Sequence, residues 1–170
     1  MKKFFLRAAA LLLALVLAGC GTASPAETVP TEADKTDDNY RVFYEIFVGS
    51  FADSDGDGTG DLNGILRHLD YLNDGNLLSD TSLGVQGLWL TPIFASPSYH
   101  KYDATDYYRI DSDFGTEDDL RALLDACHAR NVKVILDLVI NHTARNHEWF
   151  QSFCQSHADA NPDDPYYDYY

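Results

Sequence analysis

Apolar positions in this chain fall in short runs whose spacing changes from segment to segment. The run at residues 132–142, VKVILDLVINH, is nearly continuous and rich in valine and isoleucine. Such a run predicts a strand buried on both faces, as in parallel sheets. Residues 41–51, RVFYEIFVGSF, mix aromatic and β-branched side chains and predict a first strand. Residues 85–90, VQGLWL, predict a second, stopped by Thr91-Pro92. Leu62, Ile65, Leu66, Leu69 and Leu72 recur at helical spacing, so residues 61–73 predict an amphipathic helix. Thr116 can cap another, with Glu117, Asp118 and Asp119 in its first turn and Leu120, Leu123, Leu124 and Cys127 along one face. The order β-α-β-α-β implies an α/β fold with right-handed parallel crossovers. Residues 92–115 read as a long loop. Residues 144–170 are polar and aromatic, and the pattern shows no further strand. Three parallel strands alone leave sheet edges unprotected, so the pattern reads as the first part of a larger domain.

The N-terminus follows another pattern. Lys2, Lys3 and Arg7 precede an unbroken apolar run at residues 8–18. This is the shape of a signal segment, too short for a comfortable membrane span. It ends in Leu17-Ala18-Gly19-Cys20, which resembles the bacterial lipobox, whose cysteine is lipidated and becomes the mature N-terminus. The expectation is a lipoprotein signal peptide at 1–19 with lipidation at Cys20. Residues 20–39, rich in Thr, Ala, Pro and acidic residues, are expected to form a flexible linker. The protein would then be extracytoplasmic and lipid-anchored to a bacterial cell membrane. An ordinary secretory signal followed by a chance cysteine is the alternative.

Charge narrows the partners. There are 12 basic and 27 acidic residues, for a net charge of −15. That balance argues against nucleic acid and against anionic membrane surfaces, leaving the lipid anchor as the membrane contact. It suits metal cations or neutral substrates. Cys20, Cys127 and Cys154 show no zinc spacing and no even framework. Cys127 lies on the core face of its helix, and Cys154 is expected to be a free thiol.

Three stretches carry candidate chemistry. The first, DSDGDGTGD, places Asp53, Asp55, Asp57 and Asp61 at alternate positions, with glycines for tight turns. Alternate carboxylates can converge on one hard cation such as Ca2+, with Thr59 offering its backbone carbonyl as in an EF-hand loop. The match fails at the last EF-hand position, where Gly64 replaces the bidentate Glu, and a strand rather than a helix precedes the loop. A solvated acidic turn is the alternative, although four close carboxylates repel one another without a cation. The second stretch is Tyr99-His100-Lys101-Tyr102-Asp103, followed by Asp106 and Tyr107. Rings with His and Asp suit neutral sugars: a platform for the ring face and partners for hydroxyls. An aromatic loop is also ordinary packing. The third is the end of the 132–142 run, where Asp137, Asn141 and His142 fall at the carboxyl end of a strand, the usual ligand edge of parallel α/β folds.

Together, DSDGDGTGDLNGI after a first strand, LTPIF after a second, SYHKYDATDYYRID, and DLVINH after a third resemble the α-amylase family of glycoside hydrolases, the family 13 type. The resemblance covers residues 40–170. It implies that residues 40–143 are the N-terminal part of a (β/α)8 catalytic barrel, and that 144–170 begin the domain B inserted after the third strand. It implies retaining chemistry on α-glucosidic bonds of starch and maltooligosaccharides, by a monomer. Asp137 matches the aspartate that steadies the cleft, Asn141 a calcium ligand of many amylases, and His142 the histidine that touches the glucose at the cleavage point. Tyr102 matches the stacking tyrosine and His100 the histidine two residues before it. Lys101 stands where many members have Gly. The family's catalytic carboxylates lie on later strands, and no carboxylate here matches them, so the 170-residue chain itself is expected to be inactive. Exo-acting glucosidases of the family carry an aspartate three residues before the stacking tyrosine. Tyr99 stands there, which points to an endo-acting α-amylase. An α-glucosidase of the same family and a non-catalytic, calcium-dependent sugar-binding lipoprotein remain the alternatives.

Overall fold

The computed structural model describes residues 40–170. The signal peptide at 1–19, the linker at 20–39 and Cys20 lie outside the described residues. Three strands, β1 (Phe43–Ile46), β2 (Gly87–Leu90) and β5 (Lys133–Leu136), form a parallel sheet in the order β1-β2-β5. Glu45, Trp89 and Ile135 stand in register across it, as do Ile46, Leu90 and Leu136. Successive side chains in a strand point to opposite faces, so these are two different faces. The second packs on helices: Ile46, Leu88 and Leu90 join Leu62, Ile65, Leu69, Leu123, Cys127 and Phe114 in one buried cluster. The first is open, with Trp89 and Ile135 both exposed by 40% or more. In a closed (β/α)8 barrel this open face is the interior.

The first strand is shorter than its apolar run. β1 ends at Ile46, and Val48–Phe51 form a short helix, α1. Gly49 and Ser50 are poor strand residues, and the Gly49 carbonyl is used to accept the Gly60 N–H at 2.9 Å. The helix expected at 61–73 is real but broken into α2 (Leu62–Arg67) and α3 (Leu69–Leu72). At the break, the His68 ring Nδ1 donates to the Gly64 carbonyl at 2.8 Å, while the His68 N–H is shared between Gly64 and Ile65. A side chain entering the backbone ladder is a common cause of a kink. The apolar stripe survives it, with Leu62, Ile65, Leu69 and Leu72 all buried.

Residues 92–115 are not a plain loop. β3 (Phe94–Ala95) and β4 (Asp106–Ile110) pair as an antiparallel ribbon, extended by Thr105 N–H to Ala95 O and Asp111 N–H to Ile93 O. α4 (Glu117–His128) matches its expected cap: Thr116 and Asp119 exchange the two hydrogen bonds of a capping box. Burial of the Cys127 thiol on this helix pushes its pKa up to about 11, so it stays protonated.

The 132–142 run differs most from expectation. It is a strand only through Leu136, with one further ladder bond from Asp137 N–H to Leu90 O. β2 has already ended at Leu90, and Pro92 has no N–H to offer. Residues 137–140 therefore leave the sheet, and Leu138 and Ile140 are exposed rather than buried on both faces. Beyond them, α5 (Glu148–Ala158) occupies a stretch where the sequence pattern shows no element. It is held by rings rather than a leucine stripe: Phe150 on Phe153, Phe153 on His157, and Trp149 stacked on Tyr107. Cys154 on this helix is an exposed free thiol, as expected.

Candidate functional site

The carboxyl ends of the three parallel strands meet at one edge. Thr91 N–H donates to Ile46 O, and Asp137 N–H to Leu90 O, both at 3.0 Å. Asp137 leaves the sheet there, and the Tyr102 hydroxyl donates to its Oδ2 at 2.8 Å. That bond lifts the Tyr102 phenol above its ordinary range, because a phenolate would face a carboxylate. His142 Nε2 lies 3.1 Å from the Tyr102 carbonyl. A carbonyl only accepts, so Nε2 carries a proton. His100 Nδ1 accepts the Tyr102 N–H at 3.1 Å, so its proton sits on Nε2. Tyr102 is thus fixed through its hydroxyl, carbonyl and amide while its ring stays partly exposed. His100 and Tyr102 have ring centroids 6.1 Å apart, and Tyr99, exposed by 79%, packs edge-on against His100 and Phe47. Asp103 turns the other way. Burial would raise its pKa, but the hydroxyls of Ser98 and Ser96 outweigh this and hold it below the usual carboxylate range. Tyr102, His100, Asp137 and His142 are therefore one constellation.

Further residues serve this edge. The Tyr107 hydroxyl reaches Val139 O at 2.6 Å and His142 O at 3.1 Å, strapping residues 139–142 to the β3–β4 ribbon. Tyr107 and Trp149 join residues 138–143 and Tyr169-Tyr170 around a cavity of about 360 Å³, which Asn141 also lines. The aromatic loop marks Tyr107 as a candidate, but nothing in a spacing pattern marks Trp149. Asn141 is exposed, and the cavity it lines includes none of the acidic-loop residues.

In the acidic loop, carboxylate oxygens of Asp53, Asp55 and Asp61 lie within 4.8 Å of one another. Asp57 is not in that group; it accepts the Thr59 N–H at 2.7 Å. Asp53 is the hub, accepting N–H groups from Asp55, Gly56 and Gly58. Those of Gly56 and Gly58 chiefly hold its pKa below the ordinary carboxylate range. Gly56 and Gly58 sit at φ +91° and +95°, a region that disfavours other residues. Asp61 caps α2 by accepting from Gly64 N–H and also accepts from Ser54 N–H, each at 2.7 Å. Partial burial works against its charge, and these two bonds outweigh it, so its pKa is lowered. The structure explains the missing twelfth EF-hand ligand: a Cβ on Gly64 would stand 1.9 Å from the Ala52 carbonyl oxygen. A carboxylate has about four acceptor sites, so lone pairs remain for a cation. An all-oxygen donor set of three carboxylates fits a hard divalent ion.

The described residues match the family model for the alpha-amylase catalytic domain over residues 45–170. Alpha-amylase 3 of Dictyoglomus thermophilum is 50% identical over 129 residues, which cover 76% of this chain and 23% of that protein. Trehalose synthase/amylase TreS of Mycolicibacterium smegmatis is 44% identical over 146 residues, covering 85% and 22%. The crystal structure of an alpha-amylase from H. orenii superposes with a TM-score of 0.70 at 55% identity, covering 76% of this chain and 25% of that one. The chain thus spans about a quarter of the length of the relatives it matches. The three parallel strands are the N-terminal part of a TIM-barrel fold, and the chain belongs to the alpha-amylase family.

Proposed function

We propose that residues 40–170 are part of a glycoside hydrolase that acts on α-glucans, and that the intact enzyme cuts chains internally as an α-amylase. The observation that carries this is the Tyr102–Asp137–His142 constellation at the carboxyl edge of the sheet. The partly exposed Tyr102 ring offers a stacking face for glucose, and His100 and His142 offer polar atoms for its hydroxyls. Asp137 orients Tyr102 rather than reacting. The retaining pair, which needs carboxyl groups roughly 5–5.5 Å apart across the scissile bond, is supplied by the later barrel strands. The 170-residue chain alone is then inactive. Residues 144–170 open the inserted domain that walls the cleft.

Internal cutting is supported by Tyr99. Its exposed phenol stands where a carboxylate would grip a chain end, so the cleft stays open for further sugars. The acidic loop would hold one structural Ca2+ through Asp53, Asp55 and Asp61, with Thr59 and Asp57 in the same turn. The ion would fix the loop against α2 and supply no step of the reaction. Asn141 would be a further candidate calcium ligand. The mature protein would begin at lipidated Cys20, outside the cytoplasmic membrane, and Cys20→Ser would release it. The test of internal cutting uses the full-length protein on a maltooligosaccharide blocked at its non-reducing end. Cleavage of the blocked chain is expected. Failure to cut it, with glucose as the sole early product from unblocked chains, would move the assignment to an α-glucosidase.

A further inference from the structure

Lys101 lies between His100 and Tyr102, yet its side chain turns to Asp111, Asp113 and Phe114. Its backbone has φ +62°, a left-handed conformation that side chains with a Cβ rarely adopt. It is only 4% exposed. Lysines are almost never this buried unless paired. Its Nζ lies 3.0 Å from Asp111 Oδ1 and 2.9 Å from Asp113 Oδ2, and 5.3 Å above the ring of the core residue Phe114. The other oxygen of Asp111 accepts the Ser96 N–H at 2.9 Å, and the Ser96 hydroxyl donates to Asp103 at 2.7 Å. The ammonium therefore locks both ends of the 96–111 ribbon loop to one buried carboxylate. Burial alone would favour the neutral amine, but the bonds to Asp113 and Asp111 outweigh it and keep Lys101 charged.

We propose that Lys101 is a positioning residue for the glucan site: its buried ion pair holds the left-handed turn that aims His100 and Tyr102 at the sugar. The turn is what allows the Tyr102 N–H to reach His100 Nδ1 across Lys101 and the Tyr102 hydroxyl to reach Asp137. Lys101 does not touch the sugar. Its side chain is committed beneath the loop, so it acts through its two neighbours. This inference rests on the glucan reading for its activity arm, but its geometry arm stands alone.

The experiment uses the full-length protein and three variants: Lys101→Gly, Lys101→Met, and Lys101→Met with Asp111→Asn. Glycine suits the left-handed backbone and removes the whole side chain, whereas methionine keeps most of its bulk and removes the ammonium. Small misplacements in a site can cost as much as a hundredfold in rate. Expected, at a temperature where all variants are folded, is about a tenfold loss of kcat/KM on maltooligosaccharide for Lys101→Gly and about a hundredfold for Lys101→Met. The double variant removes the stranded carboxylate charge, so its thermal midpoint should recover towards wild type while kcat/KM does not. Crystal structures of the single variants should show the Tyr102–Asp137 bond lost. Recovery of kcat/KM in the double variant would make Lys101 a mere charge balance and overturn the proposal. So would single variants within twofold of wild type. A Tyr102–Asp137 bond retained in Lys101→Met would overturn it even if the wild type hydrolyses no glucan, a result that would separately sink the glucan reading.

Discussion

The carboxylates of the acidic loop accept hydrogen bonds from residues two to seven positions away. The bonds that define the proposed sugar site run from Tyr102 to Asp137, 35 residues on, and from His142 to Tyr102 across 40. The loop is a local object, shaped by glycine dihedrals and carboxylates that turn back on their own backbone. The site is a product of the sheet: it exists only because two carboxyl-edge segments from different strands are brought side by side. The two should therefore fail differently. Damage to the loop should act on stability and cation binding, and damage to the site should act on turnover.

The largest expected effect is at Asp137. Asp137→Ala in the full-length protein removes the acceptor for the Tyr102 hydroxyl and should lower kcat/KM on maltooligosaccharides by about a hundredfold or more, with calcium affinity unchanged. Steady-state kinetics and calorimetric calcium titration on the same sample check both halves. Next comes the hub of the loop. Asp53→Ala deletes the acceptor for three backbone N–H groups and one carboxylate of the proposed cation site. Calorimetry should show at least a tenfold loss of calcium affinity, and the stabilisation that calcium gives the wild type should shrink accordingly. Turnover well below the melting range should stay within about twofold. Loss of turnover as large as that of Asp137→Ala would break the division.

Smaller effects sharpen the comparison. Asp61→Ala removes the cap of α2 and should cost about 1 kcal/mol in chelator, read from denaturant unfolding. Asp53 and Asp61 both have lowered pKa values in the folded loop. Their contribution to stability is therefore fully present above about pH 5 and is lost as the pH falls through the ordinary carboxylate value near 4 and then the lowered ones. Without calcium, the thermal midpoint should fall more steeply between pH 5 and 3 in the wild type than in Asp61→Asn. Equal slopes would show that the Asp61 carboxylate is not the group titrating.

The same contrast explains what the sequence made legible. Alternate aspartates with glycines at Gly56 and Gly58 announce a tight acidic loop, because every contact that shapes it is close in sequence. Gly64 reads as a failed ligand, and only the approach of the Ala52 carbonyl shows why no side chain fits there. The strand order and helix faces follow from periodicity, because Leu62, Ile65, Leu69 and Leu72 bury the same stripe that the spacing predicts. The break at His68 does not, since it depends on one ring nitrogen reaching a carbonyl. Tyr102, Asp137 and His142 are each visible as candidates, but their meeting comes only from several motifs taken in order. The Lys101–Asp111 pair has no sequence signature, because a lysine in a polar loop ordinarily faces water. α5 is hidden for a related reason: its packed rings, Trp149, Phe150 and Phe153, stand beside Ser, Gln and Cys, which reads as a polar-aromatic stretch rather than a leucine stripe.

The most direct test of the glucan site is Tyr102→Ala in the full-length protein, assayed on blocked maltoheptaose beside the wild type. It removes the stacking face and the Asp137 bond together and leaves the acidic loop untouched. Predicted is a fall in kcat/KM of about a hundredfold, close to 2.7 kcal/mol, at an unchanged calcium affinity. A kcat/KM within twofold of wild type would contradict it, because the ring at the carboxyl edge of the sheet would then hold no sugar.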